Sequence, residues 1–152
     1  MTHEQFITLE TSRLAKQAGF DWECWAYWLS DYANGESEQK APFENRAVPY
    51  DYNTEPGARY KKGNMYSAPT QSVLQRWLRE VKNIWVSVTC DTAGDLRYAM
   101  YRATLYDEKI GYYHTSYWDD DEKEEYAEEY PTYEAALEAG LQECLTLLIE
   151  KQ

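Results

Sequence analysis

Between Thr70 and Cys90 the apolar residues recur first with the period of a helix and then, with almost no gap, with the period of a strand. Val73, Leu74, Trp77, Leu78 and Val81 fall at i, i+1, i+4, i+5 and i+8, which is one apolar stripe on a helix over Thr70–Lys82. Arg76, Arg79 and Lys82 fall on another face. Ser67-Ala68-Pro69-Thr70-Gln71 supplies the start, with hydroxyl caps and a proline whose missing N–H costs nothing in a first turn. Lys82-Asn83 closes the helix. Ile84, Val86, Val88 and Cys90 then alternate with Trp85, Ser87 and Thr89, the pattern of a half-buried strand. A striped helix feeding an alternating strand calls for helices layered on one face of a sheet.

The rest of the C-terminal half agrees. Leu96–Tyr106 and Ile110–Trp118 are strand-like, and the turns at Asp91–Asp95 and Asp107–Lys109 are short, so the three strands form an antiparallel meander. Pro131-Thr132 caps a last helix over Tyr133–Ile149, with Leu137, Leu141, Cys144, Leu145 and Leu148 as its buried stripe. The expected fold is α+β: a two-layer domain with a three- to four-stranded antiparallel sheet on two amphipathic helices, plus an N-terminal helix. The expected core is Val73, Leu74, Trp77, Leu78, Val86, Val88, Leu137, Leu141, Leu145 and Leu148.

A length of 152 residues fits one domain, in three parts. Residues 1–29 hold a helix from Leu9 to Ala18, with Thr8 as N-cap and Gly19 as the left-handed residue that ends it, then an aromatic strand over Cys24–Leu29. In that strand Trp25 and Tyr27 point one way, Ala26 and Trp28 the other. Residues 30–66 are irregular, punctuated by Asn34-Gly35, Pro42, Pro49, Pro56-Gly57 and Gly63. Five tyrosines lie in them, too many for a plain linker, so parts are expected to pack as extended chain or a short strand. Residues 67–152 are the helix–three strands–helix core.

Several function classes are poorly served by this sequence. Cys24, Cys90 and Cys144 are far apart and the histidines are only His3 and His114, so a zinc site lacks ligands at useful spacing. The odd cysteine count suits a reducing compartment. Met1–Glu10 has no signal pattern, and no apolar run is long enough to span a membrane, so the cytoplasm is the expected location. No P-loop, GxGxxG, GxSxG or HExxH occurs. No catalytic residue, cofactor or metal ligand is therefore assigned.

Two pieces, Tyr66-Ser67-Ala68-Pro69-Thr70-Gln71-Ser72-Val73-Leu74-Gln75-Arg76-Trp77-Leu78-Arg79-Glu80 and Tyr133-Glu134-Ala135-Ala136-Leu137-Glu138-Ala139-Gly140-Leu141, resemble a family of short uncharacterised proteins. That family occurs in Bacteroides-type gut bacteria and in their phages and mobile elements. Leu14-Ala15-Lys16 with Gly19-Phe20 resembles the start of the same family. The likeness covers both termini and the central helix, while Ser30–Met65 is longer than the family would have. It implies an accessory protein and carries no known activity or functional residues.

Charge and aromatics supply the functional candidates. The formal charge is -12, and eight acids with one base, Lys123, lie between Asp119 and Tyr130. Arg59, Lys61, Lys62, Arg76, Arg79 and Lys82 cluster with one acid between Arg59 and Lys82. Three readings follow. The first is a protein-interaction module that displays Trp85, Tyr101, Tyr113 and Tyr117 on the sheet face away from the helices, with Asp119, Asp120, Asp121, Glu122, Glu124 and Glu125 beside them. Against it stands burial of those rings under the long loop. The second is a nucleic-acid link: phosphate contacts by the six cations, or imitation of a phosphate backbone by residues 119–129. Plain solvated surfaces account for both segments, the acidic one as a flexible loop. The two segments can also pair with each other, within one chain or between two copies of a homodimer. The third is a small enzyme using His114 as a base or the acids from Asp119 to Glu122 for a cation; the spacing fails the EF-hand pattern at Lys123 and Glu124. Helix–three strands–helix is also the order of double-stranded-RNA-binding domains, but Glu128-Glu129 at the start of the final helix repels phosphate.

Overall fold

The structure is a computed structural model that describes residues 4–30, 39–45, 47–54, 65–91, 100–108, 111–114 and 116–152. Its helices begin at threonine caps. Helix α1 (Leu9–Gln17) starts at Thr8, whose Oγ1 accepts from Thr11 N at 3.3 Å. Gly19, at φ 96°, turns the chain, and Phe20 N donates back to Ala15 O at 2.9 Å. Helix α2 (Gln71–Lys82) starts at Thr70, which accepts from Val73 N, and ends at Asn83 in the left-handed region at φ 58°. Helix α3 (Tyr133–Glu150) starts at Thr132, which accepts from Ala135 N at 3.0 Å.

The described strands form two three-stranded antiparallel sheets and a hairpin. In the N-terminal sheet β1 (Ala26–Leu29) lies between β2 (Phe43–Glu44) and β3 (Met65–Ser67). The second sheet is the expected meander of β4 (Ile84–Asp91), β5 (Met100–Asp107) and β6 (Gly111–His114), while the turn expected after Asp91 and the strand start expected at Leu96 lie outside the described residues. The strand expected through Trp118 does not run on. After His114 the chain leaves the sheet, and β7 (Ser116–Asp119) pairs instead with β8 (Glu124–Ala127). The acidic run is therefore no plain loop, because β8 lies inside it. Asp119 Oδ1 accepts from Asp121 N at 2.9 Å and Glu122 N at 3.0 Å, and Lys123 takes φ 55°, which together close the turn.

Helix α3 packs across β4 and β5, α2 packs on β4, and α1 packs on α3. Gly140 permits the close crossing: a Cβ there would meet Ala103 Cβ at 2.8 Å and Val86 Cγ1 at 2.9 Å. Leu74, Trp77, Leu78, Val86, Leu105, Leu137, Leu141 and Leu145 are buried, with Val73, Val88 and Leu148 partly buried at the margin. Phe20 meets the Trp77 ring edge-on at 5.3 Å.

Two buried polar groups tie distant segments together. Glu138 Oε1 accepts from Thr8 N at 2.8 Å and Thr11 Oγ1 at 2.6 Å, and Oε2 accepts from Gln71 Nε2 at 2.8 Å. One carboxylate on α3 thus fastens the starts of α1 and α2. Asn53 accepts from Ser67 N and donates to Phe20 O, both at 2.9 Å. Cys24 and Tyr50 exchange backbone bonds at 2.7 and 2.9 Å. The described part of residues 30–66 therefore packs on β1 as extended chain, as β2 and as the start of β3.

Candidate interaction surface

Side chains alternate across a strand, so the rungs of the β4–β5 ladder face opposite ways. Val86 pairs with Leu105 on the helix side, and both are buried. The neighbouring rung pairs Trp85 with Tyr106 on the other side, where Trp85 is 39% exposed. Their ring centroids are 5.9 Å apart at a tilt of 56°. With Ser87 and Thr104, themselves a cross-strand pair, the two rings line a shallow cleft of about 360 Å³. Among the described residues, the helices that pack on this sheet all lie on the opposite face.

The expected rings do not share one face. Trp85 is on the open side as expected. Tyr101 pairs with Cys90 and has the parity of the buried Ala103 and Leu105, which places it on the helix side. It meets Tyr133 edge-on at 6.4 Å. Tyr113 is in register with Leu105, and Tyr117 is in register with Tyr126 in the hairpin. Tyr106, absent from the expected set, is the ring that joins Trp85. Only the register reveals it, because Tyr101 and Tyr106 are equally tyrosines on one strand.

The acidic residues stand on an arm. Strand β6 pairs with β5 from Asp107 back to Thr104, where His114 is the partner. On the same side of β5, Tyr101 and Tyr130 exchange backbone bonds at 2.8 Å each. The hairpin between His114 and Tyr130 is thus rooted at both ends on β5. Asp120, Asp121, Glu122, Glu124 and Glu125 are exposed along it and Asp119 is half-buried. Ser116 Oγ donates to Glu125 Oε1.

The cations are elsewhere. Helix α2 packs on β4, whereas the arm roots on the far side of β5, so α2 and the arm flank opposite edges of the sheet. Arg76 pairs with Glu80 at 2.8 Å and lies over the Trp22 ring at 5.8 Å. Lys82 lies over the Trp77 ring at 5.3 Å, and Arg79 is exposed. Arg59, Lys61 and Lys62 fall outside the described residues.

A second aromatic surface, not foreseen from the sequence, lies on the N-terminal sheet. Trp25, Phe43 and Tyr50 are each about half exposed, and Tyr27 contacts both Phe43 and Tyr52, with centroids at 5.6 and 4.7 Å. Beside it Asp21, Glu23, Val48, Pro49, Tyr50, Asp51 and Thr54 line an open cleft of about 520 Å³. Among the described residues no group of three or more His, Cys, Asp or Glu side chains is placed to hold a metal ion. Burial pushes the Cys24 thiol up to about 12, helped by the nearby Asp51 carboxylate, and burial raises Cys144 further. Both thiols stay protonated and inert at neutral pH. His114 stands opposite Thr104 in the ladder. Among the described residues no helix is long and apolar enough to cross a membrane. No family model, curated protein or solved structure matches this chain.

Proposed function

We propose that this chain is a non-catalytic, cytoplasmic accessory protein of a phage or mobile element, and that it binds a protein partner through the open face of the β4–β5–β6 sheet. The observation that carries the reading is the exposed Trp85 ring tilted against Tyr106 over a cleft edged by two hydroxyls. Aromatic anchors with a polar rim are what protein interfaces concentrate their binding energy on. The acidic arm, rooted on the same sheet, steers a basic partner toward that face. The phage or mobile-element setting rests on the sequence resemblance alone.

The arm favours a second reading, in which the partner is a nucleic-acid-binding protein that the chain occupies by mimicry. Asp119, Glu124 and Glu125 stand on its strands and Asp120, Asp121 and Glu122 on its turn, which gathers six carboxylates at one end of the arm. Direct nucleic-acid binding through α2 has less support, because Arg76 and Lys82 already engage their own chain.

The test is affinity capture from lysate of the source cells, read by mass spectrometry, with and without nuclease. One nuclease-resistant partner, retained by the wild type and lost by Trp85→Ala, is expected. Capture that vanishes with nuclease, or that ignores Trp85→Ala, counts against the reading. Displacement of the partner by duplex DNA selects mimicry.

A further inference from the structure

One side of the N-terminal sheet carries exposed rings that end in acid. Cys24, Ala26 and Trp28 are buried, whereas Glu23 and Trp25 between them are exposed and Tyr27 is half-buried. Ala26 and Trp28 pack with Leu9 of α1, so alternation sets Glu23, Trp25 and Tyr27 on the side away from it. Phe43 joins them as the register partner of Tyr27, with ring centroids 5.6 Å apart. Trp25 is 53% and Phe43 48% exposed, an aromatic patch of the kind that marks an interaction site. At the Glu23 end, the Cys24–Tyr50 bridge is antiparallel, so one step along it Glu23 stands opposite Asp51. Both line the cleft of about 520 Å³ together with Asp21, and among the described residues its charged lining is wholly acidic. Asp51 is fixed there, since its Oδ1 accepts from Asn53 N at 3.1 Å and Thr54 N at 3.3 Å. Like charges set opposite each other destabilise a ladder, so the fold gains nothing from this pairing. Among the described residues these acids are not placed to hold a metal ion.

We propose that this side of the N-terminal sheet binds an arginine-bearing segment of a partner protein, with the guanidinium in the cleft of Asp21, Glu23 and Asp51 and an apolar neighbour on Trp25 and Phe43. The surface lies on the other sheet from the open face and stands or fails apart from it. The charge that selects the occupant is local: the carboxylates close the same row that carries the rings. Arginine suits this surface better than lysine, because a planar guanidinium both pairs with carboxylates and stacks on rings. The chain makes such an arrangement within itself: Arg76 lies over the Trp22 ring at 5.8 Å while its Nε donates to Glu80 Oε1 at 2.8 Å. A nucleic acid would meet repulsion from the same carboxylates.

The probe is a displayed library of short random peptides selected on the full-length chain. The expected winners carry arginine beside an aromatic or large aliphatic residue. Trp25→Ala is expected to weaken a winner about tenfold, and so is Asp21→Asn combined with Glu23→Gln. All three side chains are exposed, so circular dichroism and melting should stay unchanged. Trp85→Ala, on the other sheet, should leave the affinity as it was. Winners without arginine, an empty selection, or affinity that ignores both changes at this surface overturns the inference. A loss with Trp85→Ala in their place gives the peptide to the open face and overturns it too. Undiminished binding after each arginine of a winner is changed to lysine overturns the guanidinium assignment. If a variant fails to fold, titration of the wild type decides. The Trp25 indole N–H resonance should shift with peptide and that of Trp85 should not, and an unmoved Trp25 resonance contradicts the inference. A dimer in sedimentation that Trp25→Ala dissolves would give the surface to a second copy and overturn the partner segment.

Discussion

Two adjacent rungs of one ladder meet opposite fates. Val86 and Leu105 face α3 and are 4% and 0% exposed, whereas Trp85 and Tyr106, one residue along, face outward around a cleft. The covered rung is shaped by packing: α3 crosses so closely that a Cβ at position 140 would strike both Val86 and Ala103. The open rung is larger and more aromatic than solvation requires. A strand that needed only to shield its helix side would do as well with Thr or Lys outside. The difference teaches which half of the strand the fold explains and which half the proposed binding role would use.

The largest effect is expected where covered surface meets buried polarity. Glu138→Ala strands three donors from two other helices and should lower stability by about 3 kcal/mol, read by urea denaturation. Leu105→Ala, on the covered rung, should cost about 3 kcal/mol through its cavity. Trp85→Ala, on the open rung, removes a ring pair and leaves no cavity, so about 1 kcal/mol is expected, with binding lost. If those two variants cost the same, the comparison breaks.

Thiols sharpen it. The folded chain holds the Cys24 proton up to about 12, above the ordinary 9.0. The stability this gives is fully present below about pH 9 and is lost as pH rises toward 12. Native thiol labelling should accordingly be fast at the exposed Cys90 and absent at Cys24 and Cys144. The smallest effect is expected in the arm. Replacing Asp120, Asp121, Glu122, Glu124 and Glu125 by their amides should change stability by no more than about 0.5 kcal/mol. It should slow partner association and flatten its salt dependence. A large loss of stability there would mean the arm belongs to the fold.

Much of the covered side was legible in the sequence because local rules govern it. Thr8, Thr70 and Thr132 cap as hydroxyls before apolar stripes do, and Gly19 ends α1 as glycine at that place should. Trp85 was read outward from simple alternation. What escaped depends on partners distant in sequence. Nothing near Glu138 signals that donors from Thr8, Thr11 and Gln71 will converge on it. Tyr101 and Tyr106 exchanged roles because parity on β5 follows from its pairing with β4, not from its own composition. The departure of the chain after His114 was hidden in an unbroken tyrosine-rich run, where strand propensity is the same whether the neighbour is β5 or β8.

The most direct measurement is carbene footprinting of the full chain in its captured complex, compared with the free chain. Loss of labelling at Trp85, Ser87, Thr104 and Tyr106 is the predicted result. Unchanged labelling at those four residues, with protection at Trp25, Phe43 and Tyr50 instead, would contradict the open-face account and move the binding surface to the N-terminal sheet.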